Sequence, residues 1–135
     1  MPNKTICPKC QRPLRNINAW HYCEQVDIDD LFVGKSDDVI LVFDRILAKV
    51  AMWDDIDISG TKNCVVFVKN KTFLVLKPMR KWLDAKCYLP DKVHDPLFHK
   101  LELWNSKYQA IFRLNNETEF TDKHLHYMRQ SYDMS

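Results

Sequence analysis

The chain has 135 residues, with 20 Lys and Arg against 18 Asp and Glu, and 46% of its residues are hydrophobic. That length suits one domain with room for a small appended module, and the composition excludes a disordered or collagen-like chain. Only two glycines are present, so there is no G-x-G-x-x-G or G-x-x-x-x-G-K loop to cradle a phosphate.

The N-terminal segment reads as a metal module. Cys7-Pro8-Lys9-Cys10 is followed by Trp20-His21-Tyr22-Cys23, a C-x2-C-x10-H-x-C spacing. Two thiolates separated by two residues converge on a tight turn, and Cys7, Cys10, His21 and Cys23 together close a tetrahedral site. With no position left for water, the ion expected is a structural zinc. The competing reading is a redox pair, but Pro13 disfavours the helix that normally follows such a pair. Cys64 or Cys87 remains an alternative fourth ligand to His21, because one intervening residue is a short spacing. So short a segment cannot bury a useful core, and zinc binding would supply its folding energy. Arg12, Arg15 and Trp20 beside the ligands are side chains a nucleic-acid contact uses, and also ones that keep a small zinc hairpin soluble.

Over residues 24–35 the chain turns acidic, with Val26, Ile28, Leu31 and Phe32 as candidate packing residues and Gly34 as a break. Ser36 then reads as a helix N-cap with Asp37 and Asp38 in the first turn. Val39, Ile40, Phe43, Ile46, Leu47 and Val50 form one helical face, ending near Trp53. From residue 56 the period becomes two: strands are expected at Cys64–Val68, Thr72–Lys77, Trp82–Leu89, Leu101–Leu103 and Tyr108–Leu114. Cys64 and Cys87 sit within apolar alternation and read as core thiols. A last helix opens at Thr121, with Leu125, Met128 and Tyr132 as its stripe. The fold class is therefore α+β: an antiparallel sheet of about five strands, a long helix before it and a C-terminal helix packed on it. The division expected is a zinc-ribbon-like module over 1–24 and the α+β domain over 25–135.

The near-neutral total conceals opposed blocks. Residues 24–59 carry net −7 and residues 60–113 net +7. Within the basic block, Lys77, Arg80, Lys81 and Trp82 gather three cations and an indole, suited to holding phosphates while the ring stacks a base. The bland alternative is a solvated turn whose Trp82 packs on Tyr88. No catalytic residues are expected: His94, His99, His124 and His126 accompany no recognised catalytic pattern. Asp54-Asp55-x-Asp57 lacks the Gly and closing Glu of a calcium loop. With no apolar leader and no long apolar run, the chain is expected in the cytoplasm and off the membrane.

These residues resemble a bacterial family known only as a domain of unknown function (number fifty-six fifty-five). Its members often begin with Cys-Pro-x-Cys closed by His-x-Cys, as here. They continue with Phe-x-Gly-Lys, matched by Phe32-Val33-Gly34-Lys35, and a long helix. A strand pair ending in Lys-Pro is matched by Phe73–Pro78, and an aromatic-acidic helix end by Ser131-Tyr132-Asp133. Leu31 departs from the family pattern, which has His before the Phe, so no acidic-His site is expected there. The final helix also resembles that of the MmcQ/YjbR-like double-wing proteins, which implies DNA binding.

Two functions follow as expectations. The first is a nucleic-acid-binding or regulatory module with a structural zinc. The second is a protein- or small-ligand-binding accessory domain whose charge blocks pair with a partner or another copy.

Overall fold

The computed structural model describes residues 27–104 and 106–135, together with strands β1 (Thr5–Ile6) and β2 (Pro13–Leu14). These two strands pair antiparallel, Thr5 opposite Leu14 and Ile6 opposite Pro13. Cys7, Cys10, His21 and Cys23, and with them Arg12, Arg15 and Trp20, lie outside the described residues.

A short 3₁₀ turn, Ile28–Phe32, leads into helix α1 (Asp37–Val50). Ser36 caps α1 by accepting the Val39 N–H at 3.4 Å, and Asp37 and Asp38 oppose the helix dipole in its first turn. Val39, Val42, Phe43, Ile46 and Val50 are buried, a spacing that puts them on one face. The helix stops at Val50, three residues short of Trp53. That residue instead packs its ring against Phe73 and Tyr132, with centroids 6.2 and 5.2 Å away.

Strands β3 (Asp57–Gly60), β4 (Val65–Val68), β5 (Thr72–Pro78), β6 (Leu83–Leu89), β7 (Lys100–Trp104) and β8 (Lys107–Leu114) follow. They form one antiparallel sheet in the order β3-β4-β5-β6-β8-β7. The sheet has six strands rather than about five. The additional one, β3, is a four-residue edge strand that pairs on one side only, too short to show a full alternation in sequence. Helix α2 (Asp122–Met134) closes the chain.

Alternation sorts the sheet into two faces. Val65, Phe67, Leu74, Leu76, Leu83, Ala85, Cys87, Leu89, Ala110, Phe112 and Leu114 are buried in a single core with the inward residues of α1 and α2. Both helices therefore lie on one side. Between β4 and β5 the register slips at Phe67/Val68, where Val68 faces Thr72. This leaves Phe73 as the extra residue of a bulge. Its ring turns into the core, with the Phe67 and Tyr132 centroids 6.3 and 5.4 Å away.

The buried stripe of α2 is His124, Tyr127, Met128, Ser131 and Tyr132; the expected Leu125, Met128 and Tyr132 all pack on the core, and the stripe is wider than they alone imply. Its polar members are tolerated because each is satisfied. The Ser131 hydroxyl donates to the Phe73 carbonyl at 2.5 Å and accepts the Tyr88 N–H at 2.9 Å, bridging β5 and β6 beside the bulge. Tyr132 donates to the Asp54 carbonyl at 2.8 Å. His124 Nδ1 accepts the Thr121 N–H at 3.1 Å and lies 2.8 Å from the Thr121 hydroxyl, capping the helix from within. Burial holds the His124 pKa below its ordinary value, with Asp95 and Glu119 acting in opposition.

The segment joining β6 to β7 is held by one carboxylate. Asp95, its side chain 3% exposed, accepts from the Tyr127 hydroxyl at 2.6 Å, the Leu97 N–H at 2.9 Å and the Lys123 ammonium at 2.9 Å. Hydrogen bonding, from Tyr127 above all, lowers its carboxyl to about 2, and the same contact pushes the Tyr127 phenol up to about 12. Phe98 seals this corner against Phe112 and Tyr127, with centroids 5.4 and 5.0 Å away.

Candidate nucleic-acid interface

The sheet face opposite the helices is the surface to which the chemistry-bearing residues of the basic block converge. Register sets its layout. Val66, Val75, Lys86, Ile111 and Lys100 lie in one line across β4, β5, β6, β8 and β7. A second line holds Lys77, Asp84 and Arg113. Val66, Val75 and Ile111 are partly buried and stand outside the helix-covered core. This face thus presents aliphatic side chains interleaved with cations.

Two ion pairs temper the charge. Arg113 Nε lies 3.3 Å from Asp84 Oδ1, and Lys100 Nζ lies 2.7 Å from Glu102 Oε1. Both pairs are partly exposed to water, which makes each worth little to stability. The Arg113 guanidinium also lies 4.6 Å from the Trp82 ring centroid, a cation–π contact. Trp82 therefore has Arg113 as a partner, a residue on a strand two elements further along the chain. Its indole N–H is buried without a hydrogen-bond partner among the described residues, a donor costing about 1–3 kcal/mol to leave unsatisfied.

The β5–β6 hairpin places the rest of the expected cluster. Met79 N–H donates to the Trp82 carbonyl at 2.8 Å, closing a turn with Arg80 and Lys81 exposed on it. The Ser36 N–H donates to the Arg80 carbonyl at 2.9 Å and ties that tip to the start of α1. Lys77 and Trp82 thus border the sheet face, while Arg80 and Lys81 extend beyond it as a basic tip. The sequence points to Lys77, Arg80, Lys81 and Trp82, and the structure gathers these four around one hairpin. Lys86, Lys100, Arg113 and the aliphatic line join them only through the strand register. Alternation on β8 marks Ile111 and Arg113 as outward, but nothing in the sequence says which strand they sit beside.

The two described cysteines part company. Cys87 lies in the core, where burial pushes its thiol up to about 12. Cys64 is only half-buried and stands outside that core, a departure from its expected place there. Burial raises its thiol as well, against the pull of Lys77 and Lys86. Among the described residues no group of three or more His, Cys, Asp or Glu is placed to hold a metal ion. No helix among them is long and apolar enough to cross a membrane.

The architecture defines an α+β class: two helices on one side of a six-stranded antiparallel sheet, with a mixed cationic and aliphatic face on the other. Over residues 28–135 the chain matches the family described as Domain of unknown function (DUF5655), and it belongs to that family. No curated protein and no solved structure matches it significantly.

Proposed function

We propose that this protein binds single-stranded nucleic acid on the open face of its sheet, with a structural zinc module at its N-terminus. The observation that carries the reading is the cross-strand alignment of Lys77, Lys86, Lys100 and Arg113 around Val66, Val75 and Ile111, with Trp82 at the corner. A broad sheet face does not fit the groove of an undistorted duplex. It offers what a single strand uses, cations along the backbone and apolar or aromatic surface against the bases. Arg113 supports Trp82 from one side, a geometry in which the indole meets a base on the other. Arg80 and Lys81 lengthen the phosphate path. Asp27, Asp29, Asp30, Asp37, Asp38 and Asp44 stay behind the sheet, on α1 and the turn before it, whereas Asp57 stands on the edge strand β3, away from the cationic lines.

The zinc module is argued from ligand spacing, and the antiparallel pairing of β1 with β2 supports it. Those strands flank Cys7 and Cys10 in sequence, as the arms of a zinc ribbon do. In this reading Cys7, Cys10, His21 and Cys23 hold the ion, and Arg12, Arg15 and Trp20 add to the binding surface.

The test is a shift assay of the full chain on a labelled oligonucleotide across salt. Two to four phosphate contacts give a log–log salt slope of about −1.5 to −3 for a single strand. Lys77→Glu with Lys86→Glu abolishes the shift, and Trp82→Ala weakens it by about 1–3 kcal/mol. No binding at low salt, or binding indifferent to salt, overturns the proposal. Metal analysis of Cys7→Ser and His21→Ala tests the zinc set: both lose zinc, whereas retention in His21→Ala assigns the fourth ligand elsewhere.

A further inference from the structure

The acidic side of the molecule carries a groove that the sheet face does not use. The 3₁₀ turn Ile28–Phe32 lies along α1, with the Phe32 and Phe43 ring centroids 4.5 Å apart. Beside that contact is a groove of about 280 Å³ lined by Asp29, Phe32, Val33, Ile40, Phe43 and Asp44. Its apolar lining comes from Phe32, Val33, Ile40 and Phe43. One carboxylate comes from the turn and one from the helix, and among the described residues no cation lines it. Two large apolar side chains are conspicuously exposed here: Val33 in the lining, at 74%, and Leu41, next to Ile40 on α1, at 45%. Asp27, Asp30, Asp37 and Asp38, also exposed on these elements, outweigh Lys35, Arg45 and Lys49 on the same stretch and leave it net negative.

We infer that this groove docks a short cationic segment of a partner protein, with one apolar side chain inserted between flanking Lys or Arg residues. The volume suits a single anchor side chain, and the apolar lining gives it a dry seat. Asp29 and Asp44 set what flanks it: cations gain a partner, while an anionic segment meets two carboxylates and the field behind them. The same field repels nucleic acid, so this site and the sheet face sort opposite ligands and each stands without the other.

The experiment is fluorescence polarisation of the full chain with a labelled Lys-Lys-Phe-Lys-Lys peptide. Two further probes replace Phe with Ser, or every Lys with Glu. The first peptide binds and the other two do not. Asp29→Lys with Asp44→Lys weakens binding by about tenfold or more, as loss of two rim charges should. Asp54→Lys with Asp91→Lys, an exposed acidic pair outside the groove, leaves binding unchanged. All four positions are exposed, so both variants should fold, with circular dichroism as the check. Equal binding of the Ser-substituted peptide, equal loss in both double variants, or no binding of the first peptide overturns the inference. Concentration-dependent self-association that Asp29→Lys with Asp44→Lys dissolves also overturns it, since a second copy would then occupy the groove.

Discussion

The two faces of the sheet are built from the same strands and alternate residue by residue, yet they obey different rules. Leu83, Ala85, Cys87 and Leu89 of β6 are buried, whereas Asp84, Lys86 and Tyr88 between them are only partly so. On the helix side each side chain is specified by volume, because close packing makes even one methylene felt. On the open side it is specified by charge and reach. Stability should therefore reside on one face and ligand binding on the other, and substitutions at adjacent positions can separate them.

The largest expected effect comes from neighbours on β8. Phe112→Ala leaves a cavity among Phe98, Tyr127 and His124, and should cost about 3–5 kcal/mol. Ile111→Ala, one residue away on the open face, should cost under about 1.5 kcal/mol yet weaken nucleic-acid binding. Urea denaturation of both variants decides the matter; comparable losses would show that the open face is structural after all.

A smaller effect is expected where the helix side reaches into the sheet itself. Ser131→Ala removes one hydroxyl and leaves the Tyr88 N–H and Phe73 carbonyl without that partner. The cost should be about 1–3 kcal/mol, the penalty for burying a polar group unsatisfied. It should come with faster hydrogen exchange at the Tyr88 amide. An unchanged exchange rate would mean that β5 and β6 close the gap by themselves.

The smallest effect separates the faces by pH. The His124 pKa is depressed below its ordinary 6.5, so the unfolded chain binds a proton that the folded chain resists, and stability falls as pH drops below about 6.5. Asp95 has the opposite chemistry but the same direction. Its carboxyl is lowered from 3.8 to about 2, so its contribution is complete above about 4 and disappears as pH falls toward 2. Thermal melts across pH should show two acid stages, and His124→Gln should flatten the first alone. Binding on the open face should not follow that first stage where the protein remains folded.

Much of the helix side is legible in sequence because its signals are local. The Ser36 cap, the α1 stripe and the alternation of β6 each lie within a few residues of what they specify. The α2 stripe is legible only in part because His124, Tyr127 and Ser131 look like surface residues. They are buried because Thr121, Asp95, Phe73 and Tyr88 satisfy them, and three of those four partners are 32 or more residues distant. The open face is legible only in part for the same reason. Lys77 and Trp82 flank one turn and are found together, whereas Arg113 reaches Trp82 through a ladder that pairs β6 with β8. The slot between the 3₁₀ turn and α1 has no signature beyond its acidity.

The position of β8 between β6 and β7 has a kinetic consequence. From β3 to β6 every pairing is a hairpin between consecutive strands, so each can close over a short loop. The β6–β8 ladder instead joins Leu83 to Leu114, a contact that pays loop-closure entropy across an intervening strand. Forming the β7–β8 hairpin first shortens that search, and the Asp95 clasp can form only once α2 arrives to supply Tyr127 and Lys123. The slow step of folding is then the arrival of the last third of the chain on a meander already made, as expected when non-local contacts set the rate.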